Sequence, residues 1–462
     1  MNYREIFKSI LPPESIITSN EALINKYGID KTKNITAHAD CVLFPETAGD
    51  VSHILEQCSK KKIAVIPRGS GSGVTGGAAA VYGGVILSFE KMNRIIEIDP
   101  DNMIAVVEPG VITAEISRAA EKFSLFYPPD PASLEECSIG GNFAENAGGP
   151  SAVKYGTTRD YITGIEFVTV DGTIMHHGGK IVKNVTGYDY TSILCGSEGT
   201  LAVITKLYLK LIPKPEKSTD ILIGFNSMED AIETVIKIIQ QKNNPTAIEF
   251  MEKEAIDIVV RNTDLKNFFP SSKAQLIITF DGKNNDNLSL KVNELFDIEL
   301  ISEKNTFIAK TEEEKKSLWQ IRRGIKDAIG LTSPVYFAED TVVPRSEIPS
   351  FIKKIKQQLR DHNLHSIFFG HAGDGNVHID ILKDNMDDEK WFKIMPEIRR
   401  LIYSIALKHG GVITGEHGIG SLRKNYLSMA MPQEQIDLMK RIKKAFDPDG
   451  ILNPGKVIDL DV

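Results

Sequence analysis

The chemistry-bearing residues of this chain gather in two short glycine-flanked runs. Residues 370–378 read GHAGDGNVH, and residues 415–420 read GEHGIG. His371 and His378 are seven positions apart, so in one extended strand they would face opposite sides. Gly373–Asp374–Gly375 reads as a turn, which lets the two imidazoles converge after a chain reversal. Glu416 stands between Gly415 and His417. Two imidazoles and one carboxylate make a ligand set for a divalent metal with open positions: zinc, with manganese and iron as alternatives. A metal with open positions can bind a small oxygen ligand and lower the pKa of a bound hydroxyl. His417 is the candidate base, because an imidazole titrates near neutral pH. Asn376 and Asp380 lie in the same run and can support the ligands. His53, His362 and His409 read as ordinary surface or core histidines.

A second chemistry lies in the glycines of the N-terminal half. Residues 67–77 read PRGSGSGVTGG after the strand-like KKIAVI. Gly71, Gly73 and Gly76 match the dinucleotide fingerprint G-x-G-x-x-G, but that fold needs a helix to start at the loop. Here Ala78–Val81 leads straight to Gly83–Gly84 and another strand, which leaves no room for it. The loop still suits an anion, since consecutive backbone N–H groups can face one phosphate. A second segment, CSIGGNFAENAGG (137–149), follows YPPDPAS and lets backbone approach a flat ring or ribityl chain closely. A third, GYDYTSILCGSEGTLAVIT (187–205), places Gly196, Glu198 and Gly199 before a β-prone run.

These three segments, in this order, resemble the flavin-binding domain of the vanillyl-alcohol-oxidase/p-cresol-methylhydroxylase superfamily. The C-terminal motifs resemble its D-lactate dehydrogenase, glycolate oxidase flavoprotein-subunit and D-2-hydroxyglutarate dehydrogenase group. The resemblance spans nearly the whole chain. It implies an α+β protein: a two-subdomain FAD-binding domain of the p-cresol-methylhydroxylase type, plus an α+β cap domain with an antiparallel sheet. It implies a pyrophosphate loop at Arg68, Gly69, Ser70, Gly71, Ser72 and Gly73. It places flavin contacts at Pro131, Ser133, Ser138, Gly140, Gly141, Asn142, Ala147, Gly148 and Gly149, and adenosine-side contacts near Glu198, Gly199 and Ile204. Asn453 and Lys456, in FDPDGILNPGKV, resemble the family's return of the chain to the flavin. The first loop holds Ser70 and Ser72 and no histidine, so the FAD is expected to be non-covalent.

The same resemblance matches His371, His378 and Glu416 to the family's metal ligands and His417 to its proposed base. LWQIRRGIKDAIG (318–330) is similar to its W-x-x-R motif, which sets Arg322 against the substrate carboxylate. Lys326 and Ala338 depart from the 2-hydroxyglutarate branch, which carries threonine and lysine there. The function implied is oxidation of a D-2-hydroxy acid of D-lactate or glycolate type to the 2-oxo acid, with hydride passing to flavin N5. Two other readings stand beside it. A non-catalytic flavin electron-transfer subunit would lack the histidine–glutamate cluster, and a metal hydrolase would lack a flavin absorbance band.

Around these sites the chain reads as alternating elements. Residues 1–36 form an N-terminal helical segment, 37–212 the flavin domain, 213–408 the cap and 409–462 the returning segment. Strands are expected at Ile63–Ile66, Gly84–Phe89 and Ile104–Val107, and helices over Thr47–Lys60 and 111–123. The stretch 137–213 reads as strand- and turn-rich. Past Pro213–Lys217, strands at Ile221–Phe225 and Ala274–Phe280 alternate with helices at Met228–Gln241 and Asn287–Phe296.

Lys and Arg number 54 against 62 Asp and Glu, a net charge of −8, which argues against nucleic acid as a partner. Four scattered cysteines carry no C-x-x-C spacing, so a cysteine-ligated cluster is not expected and the thiols read as free and reduced. Reduced flavin is therefore expected to pass electrons to a separate acceptor: an iron–sulfur subunit, an electron-transfer flavoprotein, a cytochrome or a quinone. An appended iron–sulfur extension is not expected in the tail. No stretch reads as a signal peptide or a membrane span, so the expected location is cytoplasmic, with peripheral membrane contact left open.

Overall fold

A computed structural model describes residues 1–32 and 35–460. Residues 33–34 of the expected N-terminal segment and 461–462 of the returning one lie outside the described residues. The chain divides into two compact units. The first comprises Met1–Gly148, Gly156–Lys214 and the chain from Glu416; the second comprises Gly149–Tyr155 and Pro215–Gly415.

The first unit carries two main sheets. One has four strands, with Val85–Ser88 flanked in parallel by Cys41–Leu43 and Val65–Arg68. Parallel pairing requires a crossover, and the helix Ala48–Lys61 supplies it. That helix begins on a capping box between Thr47 and Asp50 and buries Val51, Ile54, Leu55 and Cys58 against the sheet. The other sheet is antiparallel, in the order Ile95–Asp99, Ile104–Val107, Val203–Lys210, Ile162–Val168, Ile174–Gly178. Its strand Val203–Lys210 alternates buried and half-buried residues, as a sheet with one covered face requires. No helix follows the first glycine loop before Val85. The segment 137–149 differs from its reading as a turn: Ile139–Glu145 is helical, capped by the Ser138 side chain on the Gly141 N–H. A serine cap followed by Ile139 and Phe143, both buried on one face, outweighs the cost of two glycines in the first turn.

The second unit is built on one seven-stranded antiparallel sheet. Its order is Thr306–Ile308, Lys217–Phe225, Ala274–Gly282, Ala247–Glu252, His365–His371, Asn376–Leu382, Tyr336–Val342. The helices Lys253–Asn262, Glu312–Arg323 and Ile325–Thr332 bury Ile256, Leu318, Ile321 and Ile329 against Leu222, Ile277 and Phe369 of the sheet. Met228–Gln240, Ile348–Asp361 and Asp388–Lys408 also pack on it. This unit extends past residue 408, because Val412 bridges to Val342 and the Gly415 N–H bonds to Asp340. The excursion 149–155 belongs to it as well. Lys154 and Tyr155 both bond to Asp281, and Val153 fills the space beside Gly373.

A buried ion pair anchors the returning segment within the first unit. Asp447 is fully buried, pairs with Lys443 and accepts the N–H groups of Ile451 and Leu452 at 3.1 and 2.8 Å. Lys443 also donates to the carbonyls of Thr200 and Leu452. Burial pulls the Lys443 ammonium below its ordinary pKa, and Asp447 opposes that fall. Asp447→Ala strands this cation, and a loss of about 3–5 kcal/mol is expected. Urea denaturation followed by fluorescence checks it; an unchanged midpoint would show that the pair does not anchor the segment.

Candidate active site

A cavity in the first unit is walled by the glycine-rich segments. The predicted cofactor residues from Arg68 to Gly73, then Pro131, Ser133, Ser138, Gly140, Gly141, Asn142, Ala147, Gly148, Glu198, Gly199 and Ile204 all line it. Gly149 falls in the second unit. Asn453 and Lys456 stand behind the wall rather than on it. Asn453, 2% exposed, donates to the carbonyls of Gly77 and Glu198, and buried Lys456 donates to Pro454. Burial pulls the Lys456 ammonium down to about 8.

The wall consists of close backbone approaches. A Cβ on Gly69 would lie 2.1 Å from Ser138 Oγ. That hydroxyl accepts N–H bonds from Ser70 and Gly141, so one oxygen ties the first glycine loop to the second. The Arg68 side chain is held in place by backbone carbonyls. Its guanidinium donates to the carbonyls of Tyr27, Ile29 and Gly69 and lies over the Tyr27 ring. It stiffens the loop, and the recognition of phosphate is left to backbone N–H groups. A dinucleotide needs such a bare, amide-lined groove, and the residues present fit FAD. Among the described residues His417 is the one histidine that lines the cavity.

Glu198 links this wall to the returning segment. It accepts the N–H groups of Ile419 and Gly420 at 2.7 and 2.8 Å. Burial pushes its carboxyl up to about 6, partly opposed by those two bonds. Glu416 and His417, immediately upstream, therefore reach the same cavity.

The second unit gathers the remaining candidates on one sheet face. Gly373–Gly375 makes the expected turn between His365–His371 and Asn376–Leu382. His371 is registered opposite Asn376, and His378 opposite Phe369, which puts both imidazoles on one side. Their ring centroids are 5.2 Å apart at 84°. Each histidine also has a buried carboxylate directly across on the neighbouring strand, Glu249 for His371 and Asp340 for His378.

Those two carboxylates were not singled out in the sequence. Glu249 accepts from His371 Nδ1 at 2.6 Å and pairs with Arg322 at 2.7 Å. Burial alone would raise its pKa, but the His371 and Arg322 charges override that and hold it below the ordinary carboxylate range. With Nδ1 engaged, Nε2 is the His371 nitrogen suited to a metal. Asp340 accepts from Asn376 Nδ2, from the Thr414 hydroxyl and from the Gly415 N–H, all within 2.9 Å, and lies 3.8 Å from His378 Nδ1. It thereby fixes the backbone just before Glu416. A charge inside the strand run AIEFME was the available signal for Glu249, because a carboxylate among core residues needs partners.

Arg322 is 9% exposed and packs over Phe369 at 4.8 Å. Its Nε is buried without a hydrogen-bond partner, so it retains a donor for a carboxylate. Lys326 packs over the same ring and pairs with Asp380 at 2.6 Å. The four cysteines are all free and buried, and burial pushes the Cys41 and Cys58 thiols up to about 12.

A glycine-walled cavity in one unit and a histidine–carboxylate sheet in the other mark a flavin-dependent oxidoreductase. Residues 39–178 match the FAD binding domain, and residues 214–457 match the C-terminal domain of FAD linked oxidases. The chain is 39% identical over 453 residues to glycolate oxidase subunit GlcD of Bacillus subtilis (strain 168), covering 97% of this chain and 95% of that one. It is 36% identical over 418 residues to a D-lactate dehydrogenase of Anaerostipes hadrus, covering 88% and 87%. The solved structure of p-cresol methylhydroxylase with substrate bound shares the fold at a TM-score of 0.80 and 18% identity, over 99% of this chain and 96% of that one. The chain belongs to the FAD-linked oxidases, with the glycolate oxidase subunit GlcD and D-lactate dehydrogenase proteins.

Removing Glu249 should expose its role. Glu249→Ala leaves Arg322 buried without its counter-ion and His371 without its Nδ1 acceptor, at a cost of about 3–5 kcal/mol. A lowered urea midpoint is expected, with a smaller loss in Glu249→Gln. Equal midpoints for wild type and Glu249→Ala would refute the assignment.

Proposed function

We propose that this chain oxidises a small D-2-hydroxy acid, D-lactate or glycolate in type, to the 2-oxo acid and passes the electrons to a separate acceptor. The observation that carries the reading is that Glu416 and His417 line the cavity walled by the flavin-binding glycine segments. This supports carboxylate and imidazole chemistry beside the bound flavin. When bound, FAD supplies the hydride acceptor, and a divalent metal polarises the substrate hydroxyl.

In this reading His371, His378 and Glu416 hold the metal. Two nitrogens and one oxygen suit zinc, and manganese or iron also accept them. Glu249 orients His371, and Asp340 supports the turn into Glu416. His417 would accept the hydroxyl proton while the Cα hydrogen leaves with its electron pair to the acceptor that FAD supplies, so that the 2-hydroxy acid becomes the 2-oxo acid. Arg322 takes the substrate carboxylate, and its ion pair with Glu249 holds the guanidinium in place. The FAD is held non-covalently by the loop Arg68–Gly73 and the segment around Ser138. The acceptor is a partner protein or a quinone, since the four free cysteines are spaced for no cluster. No helix among the described residues is long and apolar enough to cross a membrane.

Anaerobic mixing of the yellow protein with a panel of 2-hydroxy acids tests the reading. D-Lactate or glycolate should bleach the flavin band, and bleaching by L-lactate alone would refute the stereochemistry. His378→Ala should lose its metal and slow that bleaching by at least about tenfold while keeping FAD. Unchanged metal content in the variant would remove His378 from the ligand set.

A further inference from the structure

Glu145 closes the helix Ile139–Glu145 and lines the flavin cavity. Its carboxyl is wedged between two glycines far apart in the chain. A Cβ on Gly77 would lie 2.9 Å from Oε1, and one on Gly418 would lie 2.1 Å from Oε2. The bare backbone at both positions makes room for this carboxyl. Oε2 is sealed from solvent and has no hydrogen-bond partner.

A second carboxyl stands against it. Glu198 Oε1 lies 2.9 Å from the same Cβ position on Gly418. Two like charges this close do not ionise together without a large cost, so the pair tends to share one proton. Glu198 accepts two backbone N–H bonds, which favour its anion. Glu145 sits at the negative end of its helix, where a second negative charge is disfavoured. The other charged groups facing the pair are Asp30 and Arg423 toward Glu145, and Arg423 and Lys456 toward Glu198. Arg68 and His417 line the same cavity. Burial first, then Glu198, moves the Glu145 carboxyl well above the ordinary range.

We propose that Glu145 binds the cofactor as a neutral carboxylic acid, donating its O–H to an acceptor atom of the bound FAD. The proposal rests on the flavin reading of the cavity. FAD offers ring carbonyls, ring nitrogens, ribityl hydroxyls and phosphate oxygens, all of which accept. A carboxylate at the same place would repel the pyrophosphate and offer no proton. Binding of FAD is therefore coupled to retention of one proton by the Glu145–Glu198 pair.

The test is FAD release from the holoprotein, read as recovered flavin fluorescence from about pH 6 to 9, the span in which buried glutamic acids titrate. Wild-type affinity should fall as pH rises, approaching about tenfold per pH unit once the acid ionises. Glu145→Gln, an isosteric donor at every pH, should show a flat profile. A carboxylic-acid carbonyl band should appear in the wild-type-minus-variant infrared difference spectrum of the holoproteins. Equal pH profiles for the two proteins would overturn the proposal. If Glu145→Gln does not fold, Glu198→Gln serves instead. Removing the neighbouring charge should move the loss of affinity to lower pH, and an unmoved profile overturns the proposal. A wild-type protein that binds no FAD overturns the flavin reading itself, whereas one that binds FAD with a flat profile overturns only the role of Glu145.

Discussion

A carboxylate withdrawn from water must be given partners, and that requirement organises both units of this protein. In the second unit Glu249 is fully buried, hydrogen-bonded to His371 and ion-paired with Arg322. Asp340, also fully buried, is satisfied by Asn376, Thr414 and Gly415. Glu339 points elsewhere and takes Arg399 and Tyr403 from the long helix Asp388–Lys408. Each solution draws on elements distant in sequence. The sheet register that sets Glu249 opposite His371 and Asp340 opposite His378 is thus tied to electrostatics as well as to apolar packing.

The first unit meets the requirement differently. Glu198 and Asp447 are satisfied mainly by backbone N–H groups of the returning segment. These bonds carry the last stretch of chain back to the glycine loops and bring Glu416 and His417 to the cavity wall. Glycine is what makes the wall possible. Ser138 Oγ, Pro109 and the Glu145 carboxyl occupy the space where side chains on Gly69, Gly140 and Gly418 would stand.

Much of this was legible in the residues. The turn at Gly373–Gly375, the absence of a helix after the first glycine loop and the helices after Thr47 and Ser227 follow from local rules of capping and turn formation. Four things were less legible. The helix at Ile139–Glu145 was masked by Gly140 and Gly141, whose low helix propensity is overridden by the Ser138 cap and buried Phe143. The excursion 149–155 depends on Asp281, more than a hundred residues away. Glu249 and Asp340 carry no motif of their own. Their meaning comes from strand pairing, which sequence spacing does not encode. Arg322 was read as facing substrate alone, yet it is also the counter-ion of Glu249.

The two histidines and the cavity glutamate serve the proposed chemistry only if a divalent metal is required for substrate oxidation and not for holding FAD. Chelation of the purified holoprotein separates those roles most directly. Metal-depleted protein should stay yellow and be bleached by dithionite, yet fail to be bleached by D-lactate or glycolate until a divalent metal is restored. Reduction by the hydroxy acid at an undiminished rate in protein shown by elemental analysis to be metal-free would contradict the account.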